Sequence, residues 1–76
     1  MKEFVEYVIK ALVDHSELVS ISEIHGAHNI VIEVRCHADD MGRVIGKSGK
    51  TIGAIRMLVT GLAAKQGRKA MLEVVE

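Results

Sequence analysis

The chain has 76 residues with one cysteine and no proline, enough for one domain around a modest core and too few thiols for an intramolecular disulfide. Ten basic and ten acidic residues cancel to a formal net charge of zero, which on average disfavours a polyanionic partner. No apolar run reaches the roughly 18 residues of a membrane span, and Met1–Glu6 lacks the apolar core of a secretion signal, so a cytoplasmic chain with a reduced, buried Cys36 and no membrane insertion is expected.

Phe4, Val5, Val8, Ile9, Leu12 and Val13 recur with the helical period while Lys2, Glu3, Glu6, Lys10 and Asp14 fill the other face, which predicts an amphipathic helix over residues 2–15. Residues 18–24 mix β-branched and polar side chains, residues 26–29 are turn formers, and residues 30–36 partly alternate; together they predict a β-hairpin with Ile30, Ile32, Val34 and Cys36 facing the core. Asp39 and Asp40 then stand where a helix N-terminus favours negative charge, opening a short helix with Met41, Val44 and Ile45 on its apolar edge and Gly46 as its stop. Ile52, Ile55, Val59, Leu62 and Ala63 predict a longer helix from about residue 50 to Gln66, with Gly67 as its C-terminal cap and Lys69–Val75 as a last strand. The order helix, strand, strand, helix, helix, strand is an α+β arrangement without linker or repeat.

The zero net charge conceals an asymmetry. Residues 1–40 carry three cations against eight acids, whereas residues 41–72 carry Arg43, Lys47, Lys50, Arg56, Lys65, Arg68 and Lys69 and no acid. Inside this basic block lies Ile45-Gly46-Lys47-Ser48-Gly49-Lys50-Thr51-Ile52. Its two glycines let the backbone turn tightly and approach a phosphate, and the apolar residues on either side anchor the turn, a pattern that points to a nucleic-acid grip.

Other readings of the motif fit less well. A nucleotide-binding P-loop needs four residues between its first glycine and Gly-Lys-Ser/Thr, but Gly42 precedes Gly46-Lys47-Ser48 by one residue too few and Gly46 precedes Gly49-Lys50-Thr51 by two too few; the loop also follows a helix rather than a strand. A plain helix stop needs one glycine, not two around an exposed Lys-Ser.

With the motif and the element order together, the chain resembles the K-homology (KH) family, and within it the small bacterial single-KH proteins of the KhpA (YlqC) family, to which Asp40-Met41-Gly42-Arg43-Val44-Ile45-Gly46-Lys47 is especially similar. The resemblance covers essentially the whole chain and implies one type II KH domain over residues 1–76. Its sheet would have three strands with one parallel pair, packed on one face by three helices, and single-stranded RNA would lie in a groove between the two motif helices and one strand. On that reading Gly46 and Gly49 admit the phosphates, Lys47 and Ser48 offer amides and side chains to them, and Lys50 adds charge at the next helix start. Arg43 and Arg56 become rim candidates, and Val44, Ile45 and Ile52 could offer apolar surface to bases, with core packing the competing reading, favoured for Ile52. The family also implies a non-enzymatic RNA chaperone or regulator without a cofactor, homodimers or pairing with a larger KhpB-type KH protein, and a link to cell shape and cell-wall biogenesis. The alternative is a KH-like protein-interaction module with weak or lost RNA binding.

Phe4 and Tyr7, the two aromatics, both fall on the first helix, so base stacking of the RRM or OB kind has little support. Gly53, Ala54, Met57, Gly61 and Ala64 leave the back of the long helix uncharged, which permits a second packing surface. His25, His28 and His37 lack the carboxylate or thiolate companions of a metal set, His15 reads as a favourable charge or cap at a helix end, and Ser48 has no identifiable base for nucleophilic catalysis.

Overall fold

The structure is a computed structural model and describes residues 1–75. Helix α1 (Lys2–Leu12) buries Val5 and Ile9, with Phe4, Val8 and Leu12 packed beside them. Strands β1 (Ser20–His25) and β2 (Asn29–Arg35) pair antiparallel with Ile21 opposite Val34 and His25 opposite Ile30. Helices α2 (Met41–Ile45) and α3 (Lys50–Lys65) follow, and β3 (Lys69–Val75) joins β2 in parallel with Ile32 opposite Leu72. The sheet order is β1-β2-β3. This is the α+β, type II KH arrangement: a three-stranded mixed sheet with three helices on one face.

The core lies between that face and the helices. Ile30, Ile32, Val34 and Cys36 project into it from β2 and its end, Leu72 from β3, and Val44, Ile52, Ile55 and Val59 from the motif helices. Strand periodicity explains the β2 set, since alternate residues share a face. On α3 the stripe is Ile52, Ile55, Val59 and Ala63; the expected Leu62 is 42% exposed, one position off the buried seam. Beyond Lys65 the amide of Gly67 donates to Ala64 and that of Arg68 to Ala63, the double bond of a Schellman ending, which places Gly67 at the cap as expected.

The first helix departs from expectation. It ends at Leu12 rather than at residue 15, Val13 is extended, and Ser16–Leu18 forms a 3₁₀ turn before β1. The cause is Asp40. Its side chain is 1% exposed, and its carboxylate accepts from the Asp14 amide (3.2 Å), the His15 amide (3.0 Å) and the His15 ring Nδ1 (3.0 Å). Amides held by Asp40 cannot continue a helix, so the chain turns there. His15 is accordingly a buried carboxylate's partner beyond the helix end rather than a cap on it, and its ring stacks on His37 at a centroid distance of 4.4 Å.

The pair also shifts its own titration. The hydrogen bond to Asp40 raises the His15 pKa above its ordinary value against the opposing effect of burial. For Asp40, burial pushes the carboxyl up, but the amides of Asp14 and His15 and the His15 ring together outweigh it and hold the pKa below 3.8. His15 thus favours folding fully below its unfolded pKa of 6.5, and that contribution fades as pH rises through the raised folded value. Asp40 contributes above 3.8 and loses its contribution as pH falls through the depressed value. Asp40→Ala should lower the melting temperature by about 10 °C, since it leaves two inward amides without their acceptor. Thermal melts across pH should show the parent losing stability as pH rises from the ordinary histidine value of 6.5 through the raised His15 value, a slope that the variant lacks; equal slopes would remove the pair from this role.

Candidate nucleic-acid interface

The Gly46–Gly49 turn is built from backbone conformations that few residues adopt. Gly46 has φ +79° and ψ 170°, Ser48 has φ +57°, and Gly49 has φ +72°. At Gly46 a Cβ would stand 2.2 Å from Thr51 Oγ1 and 2.8 Å from the Thr51 amide nitrogen, so both dihedral and space exclude a side chain. At Gly49 only the dihedral demands glycine, because no atom lies within 4 Å of the site a Cβ would take. Ser48 is the one residue with a side chain in this left-handed region among the described residues, at a cost of roughly 1–2 kcal/mol.

The turn is closed by hydrogen bonds from the Gly46 amide to Gly42, the Gly49 amide to Gly46, and the Lys50 amide to Lys47. The amides of Lys47 and Ser48 take no part in them, and both residues are exposed. Backbone amides outside a turn's closing bonds can donate to an anion. Helix α3 begins directly after the turn with no side-chain cap and no acid in its first turn, so its positive end faces the same side as Lys47 and Lys50. Among the described residues neither lysine has a carboxylate within salt-bridge distance, whereas Arg43 is paired with Asp14 at 3.1 Å. Both members of that pair are exposed, so the contact is weak and readily exchanged.

A groove of about 390 Å³ runs between α3 and β3. Val59, Ala70 and Leu72 supply its apolar part, Thr60 and Glu73 its polar part, and Arg56 stands in it with Nε donating to the Leu72 carbonyl at 3.2 Å. The chain doubles back at Gly67, so β3 runs antiparallel to α3 and the groove lies along the helix that follows the turn. It borders α3 and β3, two of the three elements between which the resemblance puts RNA, and no α2 residue lines it.

The structure sorts the candidate residues. Gly46, Lys47, Ser48, Gly49 and Lys50 come together at the turn. Arg56 stands about one and a half helical turns further along α3, in the groove, and Arg43 lies on the far side of α2 against Asp14. Ile45 is 37% exposed beside the turn and retains surface for a ligand, but Val44 is 0% exposed and Ile52 is buried. Val44 is corrected from possible base contact to core residue, because its place one residue before Ile45 on a five-residue helix turns it inward. Ile52 is core, as its competing reading had it. The expectation for Asp40 is corrected too: it holds a buried network rather than favouring the helix end from outside, and nothing in its local sequence signals partners 25 and 26 residues away. Of the other histidines, His25 bonds Glu23 and accepts from Arg68 Nη1 at 2.8 Å, while His37 accepts from the Asp39 amide.

A family model described as "KhpA/KhpB, KH domain" matches residues 2–74. The chain is 45% identical to the RNA-binding protein KhpA of Chlamydia caviae, over all of this chain and 97% of that one. It is also 45% identical to RNA-binding protein KhpA of Halalkalibacterium halodurans over the full length of both. With the RNA-binding protein KhpA of Aquifex aeolicus it shares 38% over all of this chain and 96% of that one. The chain belongs to the KhpA/KhpB KH-domain family.

The two glycines should not be equivalent. Gly46→Ala should cost about 2–4 kcal/mol in urea denaturation, because dihedral strain and the clash with Thr51 add, while Gly49→Ala should cost about 1–2 kcal/mol from the dihedral alone. Equal costs would mean that crowding at Thr51 does not fix the turn.

Proposed function

We propose that this KhpA/KhpB-family chain binds single-stranded RNA, holding the phosphates at the Gly46–Gly49 turn and the bases along the α3–β3 groove. The observation that carries the proposal is the turn itself: the amides of Lys47 and Ser48 stand outside its closing hydrogen bonds, neither Lys47 nor Lys50 has a carboxylate partner among the described residues, and the acid-free N-terminus of α3 follows directly. The names of its relatives, RNA-binding protein KhpA, support RNA as the ligand. Phosphate contacts position the strand without reading it, and the groove's lining includes no aromatic side chain, so one copy binds weakly and accepts many sequences. That behaviour suits an RNA chaperone or post-transcriptional regulator, acting in the cytoplasm as one KH domain and not as an enzyme.

A second surface supports the pairing part of the reading. Met57 is 76% and Leu58 is 56% exposed on α3, with Leu62, Ala54 and Gly61 near them. Three large apolar side chains exposed on one helix, with Lys65 at its end the nearby charge, favour a partner helix, and we propose that a second KH domain, from another copy or from a KhpB-type protein, covers them. The same face would serve the alternative, a protein-interaction module with little RNA binding. A role in cell shape and cell-wall biogenesis belongs to the same proposal, from the resemblance to the KhpA family alone.

Replacing Lys47 and Ser48 together by Asp should weaken binding of a single-stranded RNA oligomer at least about ten-fold with the fold intact by circular dichroism. Binding by the parent should fall with salt at a log–log slope near −2, for about three phosphates at roughly −0.7 each. Undiminished binding by the double variant would remove the turn from the interface and favour the interaction-module reading. Met57→Asp should halve the sedimenting mass if α3 is the dimer seam; an unchanged mass would exclude that face.

A further inference from the structure

Arg56 does more in the groove than add charge. In the parallel pair β2–β3, the Lys69 amide donates to His28 on the β2 side. Strand alternation therefore turns the amide and carbonyl of Leu72, three residues on, to the open edge of β3. A bare edge offers a donor beside an acceptor, which would suit a base that alternates the same way, such as the N1 and N6 edge of adenine. Here the acceptor is already engaged at one lone pair: Arg56 Nε donates to the Leu72 carbonyl at 3.2 Å. The contact leaves the guanidinium's two Nη groups for a ligand, in the fork that engages two adjacent acceptors end-on. Glu73 also lines the groove, but no ion pair joins it to Arg56 among the described residues, so the guanidinium is not neutralised. The mouth of the groove is thereby weighted towards donors.

We infer that Arg56 is a specificity-determining residue that makes the groove prefer guanine. Guanine presents O6 and N7 as adjacent acceptors, the pattern that an arginine fork matches best. Adenine sets an amino group beside N7, and uracil sets N3–H between its two carbonyls, so each brings a donor against the donors of the groove. Cytosine carries O2 and N3 side by side and is the nearest competitor. The inference rests on the RNA-binding reading above and adds a base preference to it: the turn holds the strand without regard to sequence, and Arg56 reads one position.

The test uses four hexamers of single-stranded RNA, uridine throughout except for guanosine, adenosine, cytidine or uridine at one central position, with binding measured by fluorescence anisotropy at constant salt. The parent chain should bind the guanosine hexamer about ten-fold more tightly than the adenosine and uridine hexamers. Arg56→Lys keeps the charge and loses the fork; it should reduce that ratio to within about two-fold, each hexamer being compared with the all-uridine one on the same variant. Arg56→Met should also lose the ratio, with thermal melting reporting its fold. The Lys47 and Ser48 double variant should weaken all four hexamers alike and so separates grip from reading. Equal binding of the four hexamers by the parent, or a ratio retained in Arg56→Lys, would overturn the guanine preference and leave RNA binding standing. Failure of the parent to bind any of them at low salt would overturn both.

Discussion

One carboxylate sets the geometry on which the rest of the molecule depends. Asp40 lies in the interior, where an unpaired carboxylate would be costly, and its three hydrogen bonds from Asp14 and His15 therefore admit essentially one path for the linker between α1 and β1. The same residue begins α2, a helix of five residues and far too short to persist without tertiary support. Asp40 fixes its first end, Val44 anchors its middle in the core, and Gly46 packed under Thr51 fixes its last. The turn at Gly46–Gly49 is thus presented by a helix held along its whole length. In the proposed role of meeting phosphate oxygens, the loop gains from such prior fixing, since less freedom is lost on binding.

The charge distribution works on the same small scale. Acids concentrate in α1, the linker and β1, cations in α2, the turn and α3, and the Arg43–Asp14 pair lies on the seam. The molecule measures 35 by 23 by 17 Å, about two to four times the Debye length of about 8 Å at physiological salt. A phosphate at the turn therefore feels the nearby lysines and the α3 N-terminus rather than the acids of the opposite end. Zero net charge and a local anion site are compatible because screening separates them.

Much of this was legible in the sequence, for reasons that differ by element. The stripe Ile52, Ile55, Val59 and the alternation Ile30, Ile32, Val34 are periodic and local, and periodicity survives into structure because one face of each element must be dry. Gly46 and Gly49 were legible as a turn, though only the structure separates a position closed by Thr51 from one closed by its dihedral alone. The end of α1 was not legible, since Val13 and Asp14 continue the amphipathic pattern and the interaction that stops the helix comes from 25 residues further along the chain. Val44 illustrates the same limit within a motif: on so short a helix, which of Val44 and Ile45 turns inward is decided by how α2 sits on the sheet. Arg56 was visible as a cation in a basic block, while its bond to Leu72 depends on which carbonyls the parallel register turns outward.

Helix α3 brings these strands of argument together, because its faces serve different ends at once. Ile52, Ile55, Val59 and Ala63 hold it to the core, its first turn carries Lys50 directly after the Gly46–Gly49 turn, Arg56 reaches into the groove, and Met57, Leu58 and Leu62 stay outside. One rigid helix fixes the distances among all of these. In the proposed dimer, covering the outer face would carry two grooves at a set spacing and orientation. Each groove is short and lacks aromatic stacking, so its own affinity is modest. Two such grooves engaged by one RNA act at an effective concentration set by the strand between them, which raises avidity without any new contact. The weakness of a single site then becomes the source of selectivity, favouring RNAs whose exposed single strands are spaced to reach both.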